Sequence, residues 1–173
     1  MGQADVRGRM DPPGSVREDV IILEIAEKAA RKAKKICKDD SHGYNNTAGA
    51  RTGNPDYACS SFVAACYRKA GVDVPANSYT QTMKKQWKAY GFRDVSDQVN
   101  LRTGDGLQIG DVVIAPGKHT EIVVTAKQHR LAGARGNPRT GPTNGRAGDQ
   151  TGREISVRNY YDDGWTQCLR LTT

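Results

Sequence analysis

Cys59 stands where a loop rich in Gly, Asn and Pro turns into an amphipathic run, DYACSSFVAACYRKAGV at positions 56–72. Thiolate chemistry needs a lowered thiol pKa, and a helix N-terminus supplies part of that through its unpaired N–H groups and dipole. It also needs a base, and the chain has three histidines: His42, His119 and His129. His119 follows Pro116-Gly117-Lys118 and opens a β-branched run, so a sheet could hold its imidazole rigidly at an edge that solvent reaches. His42 lies in a long loop, and His129 in the charged turn Lys127-Gln128-His129-Arg130, where solvation is the expectation. A cysteine opening a helix and a histidine on a strand 60 residues later suit nucleophilic acyl transfer. On spacing alone the competing reading is a buried packing cysteine.

An imidazole acting as base needs an orienting partner. Residues two apart on a strand share a face, so the Glu121 carboxylate is placed to hold the His119 tautomer and favour its protonated form. The alternative for Glu121 is pairing with a neighbouring Lys or Arg. Asn137 and Asp149, from a glycine-rich loop, are further candidates that the sequence does not rank.

The elements that must position these residues are legible in outline. Ser15-Val16-Arg17-Glu18 fits a helix capping box. Ile22, Ile25, Ala26, Ala29, Ala33, Ile36 and Cys37 then recur at helical steps, with Lys28, Arg31, Lys32 and Lys35 on a solvated face. Residues 39–57 form a loop too long to be a mere connector. A second helix is expected from about Cys59 to Ala70, with Phe62, Val63, Cys66 and Tyr67 inward and Gly71 as its stop. A third, around Thr80 to Tyr90, is expected to bury Met83, Trp87 and Tyr90. Strand-like runs follow at 111–115, 120–125, 129–134, 153–157 and 168–171, interrupted by the glycine-rich loop 136–152. Trp87 and Trp165 read as core or core-edge residues, with the lining of a groove as the alternative for Trp165. Helices first and strands afterwards predict an α+β fold, N-terminal helices packed on a small antiparallel β-sheet. Residues 1–14 read as a disordered leader or a remnant of cloning, and 15–173 as a single domain.

Composition bounds the partners. With 173 residues, 36% apolar, and a net charge of +7, the chain reads as a soluble globular protein that draws polyanions. Basic-aromatic RNA motifs and zinc-finger spacing are absent, which argues against nucleic acid. No run is apolar enough to span a bilayer, and no signal peptide is present. Action outside the producing cell would therefore require release by lysis or excision from a larger protein. Cys37, Cys59, Cys66 and Cys168 lack metal-ligand spacing and are expected to be mostly reduced. Asp162-Asp163-Gly164 reads as a turn, with no metal implied.

Several motifs in order, DSHGYNN (40–46), PDYACSSFV (55–63), IGDVVIAPGKHTEIVV (109–124), GDQTGREISVRNYY (148–161) and GWTQCLRL (164–171), resemble the NlpC-type cysteine peptidases. The resemblance is to the peptidoglycan amidohydrolases of phage lysins and of bacteria with a Gram-positive wall. It implies a papain-like fold with Cys59 as nucleophile and His119 as base. It also implies that the Tyr44 hydroxyl and the backbone N–H of the nucleophile meet the oxyanion, with Ser60 beside them. The expected substrate is a stem or cross-bridge peptide of peptidoglycan, with anionic wall polymers as further partners, no cofactor, and a monomeric protein acting at the bacterial cell wall. Two positions depart from the family pattern. Ala58 stands where an aspartate usually precedes the cysteine, and Gly133 where the imidazole's orienting residue usually sits. These departures support a rival from another class, a non-catalytic wall-binding module. A third reading keeps the thiol as an acyltransferase or as a protease for a protein target.

Overall fold

The computed structural model of the chain describes residues 15–39, 41–47, 49–135, 148 and 153–173. The expected leader at 1–14, and the candidates Asn137 and Asp149, lie outside the described residues.

Helix α1 (Val16–Cys37) starts where the sequence predicts, with the Ser15 hydroxyl accepting from the Glu18 N–H at 3.3 Å. Glu18 and Asp19 in its first turn and Lys34 and Lys35 in its last complement the helix dipole. Its buried stripe is small, Ala26, Ala29, Ala30 and Ala33, which lets α2 (Cys59–Lys69) approach closely. Helix α2 buries Phe62, Val63, Ala64, Cys66 and Tyr67 completely.

The third helix is shorter than the periodicity predicts. Helix α3 runs over Met83–Trp87, continues as a 3-10 turn over Lys88–Tyr90, and stops at Gly91, whose φ of 93° lies in the left-handed region. Two threonines account for the late start. Thr82 turns its hydroxyl back to the Tyr79 carbonyl at 3.4 Å, and Thr80 accepts from the Gly117 N–H at 2.9 Å. The tighter final turn also leaves Tyr90 exposed, contrary to its expected burial.

Six strands form one antiparallel sheet: β1 (Phe92–Asp94), β2 (Val112–Ala115), β3 (His119–Val123), β4 (Arg130–Ala134), β5 (Ile155–Asn159) and β6 (Gln167–Leu171). The order is β1-β6-β2-β3-β4-β5. The α+β class with helices preceding the main sheet agrees with the sequence reading, while β1, three residues without alternation, has no counterpart in it. The helices cover one face over Phe62, Val63, Trp87, Ile114 and Ile122. A smaller cluster, including Val113, Val123, Leu131 and Trp165, covers the other. Burial on both faces explains why β2 reads as an unbroken apolar run, whereas β3 buries its polar residues His119, Thr120 and Glu121 along with Ile122 and Val123.

Register places the site. β2 and β3 pair Ala115 with His119 across the turn at Pro116-Gly117-Lys118, where Gly117 has a φ of 77°. β3 and β4 pair Ile122 with Ala132 and Val123 with Leu131, and the same register sets Gly133 opposite Glu121 and Arg135 opposite His119.

Candidate active site

The turn that carries Cys59 is fixed from three sides. Asp56, buried, accepts from the N–H groups of Gly43 at 2.8 Å and Gly148 at 3.1 Å. Backbone bonds from Tyr57 to Gly43 (2.9 Å) and from Asn45 to Tyr57 (3.0 Å) then lay the Tyr44 segment alongside the approach to Cys59. Ser61 accepts from the Ala58 N–H at 2.9 Å and donates to the Arg51 carbonyl, giving half of a capping box at a residue with no capping side chain of its own.

Arg51, only 1% exposed, completes the frame. Its guanidinium donates to Ser60 Oγ at 2.9 Å, to the Ser78 carbonyl at 3.0 Å and to Asn77 Oδ1 at 2.5 Å, and lies 4.1 Å from the Tyr79 ring centroid. Ala58 contributes no carboxylate to this turn. Asp56, Arg51 and Ser61 order it instead.

Cys59 is the first residue of α2, half-buried, and close enough to His119 to raise the imidazole pKa. The His119 Nε2 lies 3.1 Å from Glu121 Oε1, which leaves Nδ1 for the thiol. Trp165 stacks on the imidazole, with centroids 5.8 Å apart and planes at 29°. Burial works against the charged imidazole, but the hydrogen bonds to Cys59 and Glu121 outweigh it and push the His119 pKa up to about 9. An imidazolium beside a thiol is the arrangement that favours a thiolate–imidazolium pair.

Glu121 is completely buried, and both readings of it hold at once. The oxygen that meets His119 also accepts from the Arg135 guanidinium, which in turn donates to the Tyr161 hydroxyl. Burial, with the Glu121 charge nearby, pushes the Tyr161 phenol up. Gly133 makes the room. A Cβ there would fall 2.5 Å from Glu121 Cγ and 2.6 Å from its Oε1. The position that lacks an orienting side chain is thus the space that the Glu121 carboxylate fills.

Tyr44, Lys118, His119, Arg135 and Asp163 line a cleft of about 240 Å³. Burial and the charge of Cys59 push the Tyr44 phenol up, so its hydroxyl is held as a donor. The Ser60 hydroxyl is turned inward, donating to the Ser78 carbonyl at 2.6 Å, so its backbone N–H is the group left at the helix terminus. His42 bonds the Pro55 carbonyl and packs on Tyr57, away from His119. His129 is half-buried instead of solvated, before β4, and outside the cleft. A larger groove of about 470 Å³ between α1 and the β1–β6 side of the sheet contains none of the candidate catalytic residues, and its buried Asp111 is held by Arg170. Among the described residues, no three His, Cys, Asp or Glu side chains gather as a metal site requires, and no helix is long and apolar enough to cross a membrane.

Asp56, Arg51, Arg135 and Tyr161 were not singled out from the sequence. Only Arg135 carried a signal, since an antiparallel register through Glu121 and Gly133 brings it opposite His119.

Residues 46–130 match the endolysin-like domain family. The matched segment holds Cys59, His119 and Glu121, while Tyr44, Gly133 and Arg135 lie outside it. The match points to a phage-lysin-like domain and a function related to the cell wall. No curated protein matches the chain.

Proposed function

We propose that the protein is an NlpC-type cysteine hydrolase that cleaves an amide bond in the peptide part of peptidoglycan through a thioester on Cys59. The observation that carries this reading is His119 held 3.1 Å from the buried Glu121, close to Cys59 at the start of α2, with Gly133 leaving space for the carboxylate. A binding module would gain nothing from a buried carboxylate that raises a histidine pKa beside a thiol at a helix N-terminus.

In the reaction, the Cys59 thiolate attacks the carbonyl carbon, and the oxyanion is met by the Tyr44 hydroxyl and the backbone N–H groups at Cys59 and Ser60. The tetrahedral intermediate collapses as the His119 imidazolium gives its proton to the departing amine, leaving a thioester and a neutral imidazole. His119 then takes a proton from water, hydroxide adds to the thioester, and the thiolate leaves as the carboxylic acid forms. Glu121 holds the tautomer and stabilises the imidazolium, while Arg135, itself bonded to the Tyr161 hydroxyl, holds the carboxylate. Residues 15–173 act as one catalytic unit.

The test is release of soluble fragments from purified Gram-positive walls by the wild type and by Cys59→Ala, with mass spectrometry of the new termini. Fragments that disappear in the variant support the hydrolase, and their termini name the bond. Walls left intact by both proteins would refute it.

A further inference from the structure

Charge is segregated along α1. Residues 16–27 carry Glu18, Asp19, Glu24 and Glu27 against the single cation Arg17, whereas residues 28–38 carry Lys28, Arg31, Lys32, Lys34, Lys35 and Lys38 with no acid. The helix dipole accounts for basic residues in the last turn, Lys34 and Lys35, and its effect fades beyond that turn. Lys28, Arg31 and Lys32 lie further back. Cations three and four apart on one helix repel, so this arrangement weakens α1 unless an anion lies across it.

The fold extends the patch. Ala29, Ala30 and Ala33 face the core, which turns the cations outward, and α2 places Arg68 and Lys69 beside them. A groove of about 300 Å³ runs between the helices, lined by Lys32, Thr52, Ser61, Arg68 and Lys69 among others, with no carboxylate in its lining. Arg68 is paired with the exposed Asp73 at 2.6 Å, and Asp39 lies close enough for Lys32 to act on it. Arg31, Lys35 and Lys69 form no ion pair among the described residues. The groove shares no residue with the cleft of Tyr44 and His119.

We propose that this α1–α2 face is a docking surface for a phosphodiester-linked anionic polymer of the bacterial wall, separate from the cleft of Tyr44 and His119. A flexible polyanion lying along the groove would relieve the repulsion within α1 and concentrate the protein on its substrate. The choice of a wall polymer over other polyanions rests on the reading that the protein acts on peptidoglycan; the positive face itself does not depend on it.

The experiment uses full-length Cys59→Ala, so that walls stay intact, and measures the fraction pelleting with Gram-positive walls before and after hydrofluoric acid strips the phosphate polymer. A companion protein carries Arg31→Gln, Lys32→Gln, Lys35→Gln and Lys69→Gln in addition. Thermal melts check that both are folded. The expected result is a drop in pelleting of about fivefold or more on stripping, on raising the salt, and in the companion, with soluble poly(glycerol phosphate) competing. The same four substitutions with Cys59 intact should leave cleavage of a soluble muropeptide unchanged while slowing attack on whole walls. Pelleting unaffected by stripping or by the four substitutions would overturn the proposal, as would stronger competition by duplex DNA at equal phosphate. Retained, polymer-dependent pelleting without any cleavage by the wild type would sustain the surface and refute the hydrolase.

Discussion

Replacing Gly133 by alanine should disable the site without touching any residue that contacts substrate. The added methyl would fall 2.5 Å from Glu121 Cγ, 2.6 Å from Oε1 and 2.7 Å from Cδ, about 1 Å inside ordinary contact. Glu121 cannot retreat easily, since it is completely buried between His119 and Arg135. Overpacking of this kind costs about 1–3 kcal/mol, against a gain of about 0.4–1 kcal/mol from replacing glycine at a compatible backbone position. A net loss of about 1–2 kcal/mol follows, read as a fall in Tm of roughly 2–8 °C for a chain of this size. Moving the carboxylate by 1 Å also misplaces the imidazole, which should lower kcat about 100-fold. The decisive assay is a double-mutant cycle with Glu121→Ala. Removing the carboxylate vacates the space, so in that background Gly133→Ala should be neutral or slightly stabilising, giving a coupling energy of about 1–3 kcal/mol. If Gly133→Ala alone keeps its Tm and activity, or costs the same with and without Glu121, the packing argument is wrong.

Other consequences are open to measurement. With the folded His119 pKa at about 9 and the ordinary histidine value at 6.5, the folded protein holds a proton between those limits that the unfolded chain releases. The stability this contributes is fully present below 6.5 and is lost as pH rises to about 9, roughly 3 kcal/mol in all. Urea unfolding of wild type and Glu121→Gln across pH 6–10 checks it, and a variant with the same pH dependence as wild type would count against the assigned cause. Because Glu121 helps hold the imidazolium, Glu121→Gln should also move the alkaline limb of kcat to lower pH, readable beside an NMR titration of the His119 ring. Arg51→Met takes the guanidinium donor from Asn77 Oδ1 and Ser60 Oγ and leaves the Ser78 carbonyl with the Ser60 hydroxyl alone, so it should destabilise by about 1–3 kcal/mol and slow carbamidomethylation of Cys59; unchanged alkylation would show that Arg51 does not order this turn.

The parts of this site that were legible in the sequence are those governed by local rules. Cys59 at a helix start, His119 at a strand start and Glu121 two residues later follow from capping, turn and alternation patterns within short windows. The parts that were not legible depend on pairing across the chain. Arg51 meets Ser78 across 27 positions, and Asp56 meets Gly148 across 92. Neither contact leaves a periodic trace. The third helix starts later than its periodicity predicts because threonine hydroxyls bond elsewhere, and Tyr90 is exposed because the final turn tightens to 3-10 before Gly91.

Gly133 shows why a missing residue in a sequence pattern need not mean a missing function. Read along the chain, a glycine cannot orient an imidazole, and with Ala58 it favours a protein that has lost its chemistry. Read across the sheet, Glu121 and Gly133 occupy one register position on neighbouring strands, and only one of them can fill the space beneath His119. The carboxylate comes from the histidine's own strand, so the partner strand must supply the smallest residue. Compensation of the same kind operates at Ala58, where Asp56, Arg51 and Ser61 order the turn from other directions. In both places the space and the hydrogen bonds around the site are supplied by residues other than those the family pattern names.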